Sequence, residues 1–194
     1  TLGSATVIAS DKTGTLTKNE MTVRTVVTAS GRIDITGTGY APEGVLRQEG
    51  KPLQEPALRT EVERTLIAAD RVNNAVLQER DGRWSVQGDP TEGALIVAAR
   101  KAGLSANALG SRFERVGEVP FSSERKLMST VHAQPGGGYR VLVKGAPDVL
   151  LSRCRLSGEE AGRIRAANAA MARRALRVLG TAYRDIDELL PRLE

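Results

Sequence analysis

Cysteine, histidine and aromatic residues are nearly missing from this sequence of 194 residues, which has one cysteine, Cys154, and one histidine, His132. A single thiol excludes an internal disulfide and fits a reducing compartment such as the cytosol. A single imidazole with no cysteine companion excludes the usual His/Cys metal cages. Aromatic residues make up only 3% of the chain, too few for a platform that stacks successive bases of single-stranded nucleic acid. No apolar run approaches the ~18–20 residues that cross a bilayer. No signal-peptide pattern is expected either. The glycine-rich Walker pattern is also missing, so any phosphate cradle follows another plan.

What is present describes a globular chain. Hydrophobic residues are 40% and charged residues 26% of the total, enough for a core of ordinary size. The net charge is +5, with a sequence pI near 9.7. The arginines are dispersed rather than clustered, so a compact anion such as a nucleoside triphosphate accounts for the excess as well as a nucleic acid does.

The most specific segment is the opening, Val7-Ile8-Ala9-Ser10-Asp11-Lys12-Thr13-Gly14-Thr15-Leu16-Thr17. An apolar run ending in an aspartate and a small hydroxyl-rich turn places a carboxylate at the C-terminal end of a strand, where open α/β sheets bind ligands. A carboxylate so placed can attack phosphorus and form an aspartyl-phosphate. The seven residues Asp11 to Thr17, DKTGTLT, resemble the phosphorylation signature of P-type ATPases, the ion pumps that pass through such an intermediate. The rival reading is a phosphatase of the same aspartate-nucleophile class with an inserted cap. Those enzymes carry a second aspartate two residues after the first, as a general acid that later helps water attack. Thr13 stands there instead, which favours a slowly hydrolysed phosphoenzyme.

The remainder predicts its own domain. Thr22–Thr28 and Arg32–Thr36 read as strands about a Ser30-Gly31 turn, and 37–56 as an irregular excursion. Leu58, Val62, Leu66, Ala69 and Val72 keep helical spacing. Ala75–Glu79 and Arg83–Gln87 flank Asp81-Gly82 as a hairpin. Pro90–Ala102 is a helix with Asp89 as N-cap, Pro90 in first position and Glu92 three residues after the cap. Strands follow at Val116–Phe121, Leu127–Ala133 and Tyr139–Val143, then a short helix at Pro147–Arg153. Ser157 and Glu160 form a capping box for a helix to about Arg174, and Leu176–Tyr183 is a last strand. The expected fold is α+β: a mixed, mainly antiparallel sheet flanked by helices, preceded by one strand of another domain. The expected division is 1–20 for that strand and signature loop, 21–186 for the main domain, and 187–194 for the start of a return linker.

Four further segments resemble the nucleotide-binding domain of type II P-type ATPases, the class that holds calcium pumps, so the resemblance covers essentially the whole chain. In Gly88-Asp89-Pro90-Thr91-Glu92-Gly93, the resemblance sets Glu92 near the adenine amino group. In Phe121-Ser122-Ser123-Glu124-Arg125-Lys126-Leu127-Met128 it makes Phe121 the stacking ring, Lys126 a phosphate neighbour and Met128 a neighbour of the ring. Animal calcium pumps carry an arginine at the place of Ser123; here that contact is weaker, or Arg125 substitutes. In Val143-Lys144-Gly145-Ala146-Pro147, Lys144 lies beside adenine and Gly145 allows a close backbone approach. In Ala175-Leu176-Arg177-Val178-Leu179-Gly180, Arg177 reaches the triphosphate and Leu179 gives an apolar contact.

The resemblance implies an ATP-binding domain of a cation-transporting pump that positions ATP for transfer to Asp11, with Mg²⁺ held by Asp11 and the backbone carbonyl of Thr13. The remaining phosphorylation, actuator and membrane domains of the same pump are the implied partners, at the cytoplasmic face of a membrane. Nucleic acid is not expected as a partner, and the fragment alone is expected to be monomeric and to bind ATP without turnover.

Overall fold

The computed structural model describes residues 6, 7, 9–11, 15 and 17–189. Two four-stranded sheets share one long helix. The first sheet holds β1 (Thr25–Thr28), β2 (Gly31–Ile35), β3 (Leu46–Gln48) and β4 (Lys51–Pro52) in that order. The second holds β7 (Arg115–Ser122), β8 (Leu127–Ala133), β9 (Tyr139–Gly145) and β10 (Gly180–Ile186) in the order β10-β9-β8-β7. A separate hairpin pairs β5 (Val76–Arg80) with β6 (Arg83–Gln87).

Between the sheets runs α1 (Pro56–Arg71), whose Glu55 carboxylate caps the amides of Ala57 and Leu58. Its spacing sets Leu58, Val62 and Leu66 against Val26, Ile33 and Ile35 of the first sheet. One further turn along, Ala68 and the following Val72 meet Met128 and Leu142 of the second sheet. Burying such side chains contributes roughly 1.5–3 kcal/mol each, so the apolar stripe of α1 ties both sheets together. The next helix, α2 (Pro90–Lys101), adds Ala98 and Ala99 to the first core. Buried Asp70 of α1 also takes Arg100 of α2 at 2.8 Å and the adjacent Arg71 at 2.6 Å.

The α+β expectation holds, with corrections. Every strand pair among the described residues is antiparallel, so the sheets are not mixed. Even the long connection from β9 to β10 obeys this. It contains α4 (Pro147–Leu151) and α5 (Gly158–Arg173), and that helix pair returns the chain to the end it left, so Gly180 pairs with Gly145. The excursion 37–56 contains β3 and β4, which are too short to show alternation. A seven-residue helix, α3 (Ala106–Arg112), was not expected from the pattern, because only Leu109 of it is buried.

The last strand starts at Gly180 rather than Leu176, so Arg177 and Leu179 lie on the loop before it. The strand expected at the opening falls partly outside the described residues. Val7, Ala9, Ser10 and Asp11 belong to no strand and are exposed, Val7 at 82%. A lone strand has no ladder to join. Residues 190–194 of the expected linker also lie outside the described residues.

Candidate functional site

The start of α2 meets the second sheet at one side chain from each. Asp89 caps the helix, accepting from the amides of Thr91 at 2.8 Å and Glu92 at 3.1 Å. Burial works against the Asp89 charge, but those amides, the Thr91 hydroxyl and the Arg177 guanidinium hold its carboxyl below the usual carboxylate range. The capping box suggested by Glu92 is not closed. Its side chain leaves the helix start and accepts from Lys144 Nζ at 2.5 Å through Oε1, and from the amide of Asn74 at 3.0 Å through Oε2.

Lys144 is 7% exposed. Burial pushes its ammonium below the ordinary lysine value, Glu92 and Asp89 pull it back up, and Arg115 adds to the lowering. A charge this deep persists only when paired, and Glu92 is the pair.

Sheet register brings three of the expected residues onto one rung. Met128 pairs with Lys144, and Lys144 with Thr181. On the outer strand, Val119 faces Ser129 and Ser122 faces Leu127. Pro120 and Phe121 therefore stand together opposite Met128 alone, which is a β-bulge. Bulges re-aim side chains, often beside active sites. Phe121 is 59% exposed here despite its apolar ring. Met128, opposite it on β8, is buried among Ala68, Val72 and Leu142 and is a packing side chain.

The neighbouring rung explains the glycine of the Lys144-Gly145 pair. A β-carbon on Gly145 would lie 2.2 Å from the Lys126 carbonyl oxygen and 2.9 Å from Leu127 Cα. The close approach is thus to the start of β8, where the same carbonyl accepts from the Ala146 amide at 3.1 Å. Lys126 itself has φ of 56°, a strained state for a residue with a side chain, and the residue is exposed.

Arg177 is brought to the same place by a loop: its Nη1 donates to Thr91 Oγ1 at 3.1 Å. Leu179 is exposed just before the Gly180–Gly145 pair. Arg125, a candidate to replace the arginine missing at Ser123, is turned onto β8 instead, donating to Ser129 Oγ at 3.2 Å. Asp11 is exposed, and Lys12, Thr13 and Gly14 lie outside the described residues.

Four polar residues of the site had no sequence signal of their own. Asn73 donates to the Glu92 carbonyl at 2.9 Å. Asn74 donates through Nδ2 to Glu118 at 2.8 Å and accepts through Oδ1 from Arg115 at 2.9 Å. Arg115 and Glu118 form an ion pair at 2.5 Å.

A cavity of about 680 Å³ opens on another flank, against Asp70, Arg71, Trp84, Arg100 and Leu104. None of the residues implied by the resemblance lines it. On the Lys144 rung it is Phe121 at the outer strand that is exposed, while Lys144 and Met128 are buried.

Residues 61–192 match the family model described as P-type ATPase, cytoplasmic domain N. The chain belongs to this family. Similar proteins include the "Probable cation-transporting ATPase F" of Mycobacterium tuberculosis, 41% identical over 92% of this chain and 20% of that protein. The cation-transporting ATPase pma1 of Synechocystis is 37% identical over 96% of this chain and 22% of its own length. The calcium-transporting ATPase of Bacillus subtilis is 36% identical over 96% of this chain and 22% of its own length. The N domain described here thus spans about a fifth of these relatives. The family match gives no support to the phosphatase reading, and no described helix of the N domain is long and apolar enough to cross a membrane.

Proposed function

We propose that this N domain binds ATP for a cation-transporting pump and positions it for phosphoryl transfer to Asp11. The observation that carries the reading is the Lys144–Glu92 pair, 2.5 Å apart, on the rung that exposes Phe121. A purine stacked on Phe121 turns its amino group toward the Glu92 carboxylate, with Lys144 forming the polar wall beside it. Lys126 and Arg177, both exposed, supply cationic donors for the phosphates. Leu179 offers an apolar edge, Gly145 keeps the backbone close, and Met128 is a packing side chain of the same rung. Residues 1–20 belong on this reading to the phosphorylation domain, 21–186 to the nucleotide domain, and 187–194 to the return linker.

In the intact pump, an Asp11 carboxylate oxygen attacks the γ-phosphorus as the bond to the bridging oxygen breaks, leaving an acyl phosphate and ADP. Among the described residues no three acidic, histidine or cysteine side chains gather into a metal cage. Magnesium needs none, since it commonly takes one or two carboxylates together with water and phosphate oxygens. Asp11, with the Thr13 carbonyl, would hold it, and the ion would neutralise phosphate charge. The other phosphorylation, actuator and membrane domains complete the machine at the cytoplasmic face of a membrane. The isolated chain is a monomer that binds ATP without turning it over.

Calorimetric titration with ATP tests this. Saturable heat at up to millimolar nucleotide is expected, and its loss in Lys144→Ala. No saturable heat from the unmodified chain overturns the reading. Acid-stable incorporation of labelled phosphate at Asp11 overturns the absence of turnover.

A further inference from the structure

We infer that Asn74, clamped by Arg115 and Glu118, is a positioning residue that sets the purine preference of the site through Glu92. This rests on the proposed adenine contact of Glu92 and adds the reason that contact is selective.

The Glu92 carboxylate has two oxygens with different tasks. Oε1 takes the Lys144 ammonium, and Oε2 takes the Asn74 amide at 3.0 Å. Those two donors fix the plane of the carboxylate and the direction of its remaining lone pairs. The amide can do this only if the backbone at Asn74 is itself fixed. Residues 73 and 74 follow α1 and precede β5, outside any helix or strand, so regular hydrogen bonding does not hold them.

The buried Asn73 side chain holds its own position, donating to the Ala69 and Glu92 carbonyls and accepting from the Ala75 amide, and side chains from β7 hold Asn74. Glu118 accepts from Asn74 Nδ2 at 2.8 Å. Arg115 Nη1 donates to Asn74 Oδ1 at 2.9 Å and to the Asn73 carbonyl at 3.2 Å. The Arg115–Glu118 ion pair closes the clamp. Both ends of the Asn74 carboxamide are engaged, which also fixes which end is oxygen.

The clamp and the exposed ring share a strand. Arg115, Glu118 and Phe121 all lie on β7. The strand that presents the stacking surface therefore also holds the group that aims the carboxylate. A ring seated on Phe121 meets Glu92 at a set height and angle. There, an amino group at the purine 6-position donates to the carboxylate, whereas a 6-oxo group presents lone pairs to it. Hydrogen bonds to charged groups are worth enough for about a tenfold difference or more between the two.

The test is the ratio of affinities for ATP and ITP, measured by titration calorimetry on this chain. ITP keeps the triphosphate and ribose but carries a 6-oxo group. The unmodified chain is expected to favour ATP by about tenfold or more. Asn74→Ala and Arg115→Ala are each expected to bring the ratio to about twofold or less, because the carboxylate is then free to turn. General loosening of the fold weakens both nucleotides alike and leaves the ratio unchanged. Loss of the Arg115 charge likewise acts on both alike. A thermal melt of each variant checks that it is folded, and Asn74→Ala, at the exposed end of the clamp, serves if Arg115→Ala, which is partly buried, does not fold.

If the unmodified chain discriminates and both folded variants keep the full ratio, the positioning role is wrong while the adenine contact of Glu92 stands. If the unmodified chain binds the two nucleotides equally, or binds neither, that contact fails and the positioning role falls with it.

Discussion

Lys144 Nζ and Glu92 Oε1 meet at 2.5 Å across 52 positions of sequence, joining the end of β9 to the first turn of α2. The partners are not equivalent. Lys144 has burial against it, whereas Glu92 keeps a second donor in the Asn74 amide and is the more exposed of the two.

Removing the carboxylate strands the buried ammonium. Glu92→Ala is expected to cost about 3 kcal/mol in urea unfolding at neutral pH, and Lys144→Met clearly less, because the methionine chain fills the same space. The pH dependence gives a second check. The Lys144 pKa is already lowered from 10.5 in the folded state and falls further without Glu92. Its unfolded form then binds the proton more readily than the folded form, so the Glu92→Ala deficit shrinks as pH rises toward 10.5.

Phe121 separates binding from stability. At 59% exposure it contributes little to the core, so Phe121→Ala is expected to change unfolding free energy by no more than about 0.5 kcal/mol. The same change removes a stacking surface worth about 1–3 kcal/mol to a bound base. Calorimetry and chemical denaturation on one variant read both numbers.

His132 is a built-in acid sensor of the fold. Its Nδ1 lies 3.0 Å from the Phe113 carbonyl, which can only accept, so the proton of the neutral ring sits on Nδ1 and Nε2 accepts from Thr130 Oγ1 at 2.9 Å. Burial lowers its pKa below 6.5, against the raising effect of the Phe113 carbonyl. The unfolded chain therefore takes up the proton first as pH falls. Stability is full above 6.5 and declines below it, by at most about 1.4 kcal/mol per pH unit. His132→Gln, which keeps a donor and an acceptor, is expected to flatten that acid limb in urea midpoints measured from pH 7 down to about pH 5.

Two helical glycines respond oppositely to alanine. A β-carbon on Gly93 would meet both Val86 methyls at 2.5 and 2.6 Å, where α2 lies on the hairpin. Gly93→Ala is expected to destabilise by about 1–3 kcal/mol. Gly162 of α5 has nothing within 4 Å of that position, and Gly162→Ala is expected to stabilise by about 1 kcal/mol through helix propensity. Thermal melts of the pair decide it.

Much of the fold was legible where local chemistry acts alone. The Asp89-Pro90 helix start, the Asp81-Gly82 hairpin and the Ser157–Glu160 capping box each need only neighbouring residues, and each is formed. The Leu58–Val72 stripe was legible because its period is long enough to count. The β3 and β4 strands were not, because two or three residues are too few to show an alternation and it is their pairing, β4 with β3 and β3 with β2, that defines them. The bulge at Pro120-Phe121 was hidden for a related reason, since register belongs to two strands at once. Only the resemblance put Glu92 and Lys144 near one ligand. The Asn74–Arg115–Glu118 clamp joins three ordinary surface residue types from separate segments, and no local pattern marks it.

The extra residue at Pro120-Phe121 has a further consequence. It lifts Phe121 out of the in-and-out alternation of β7 and leaves its ring exposed. Position 121 can therefore exchange one aromatic for another, or for a flat guanidinium, with no adjustment of the layer beneath. On the proposed function, the strength of base stacking at this position can drift over generations while the melting temperature stays where it was.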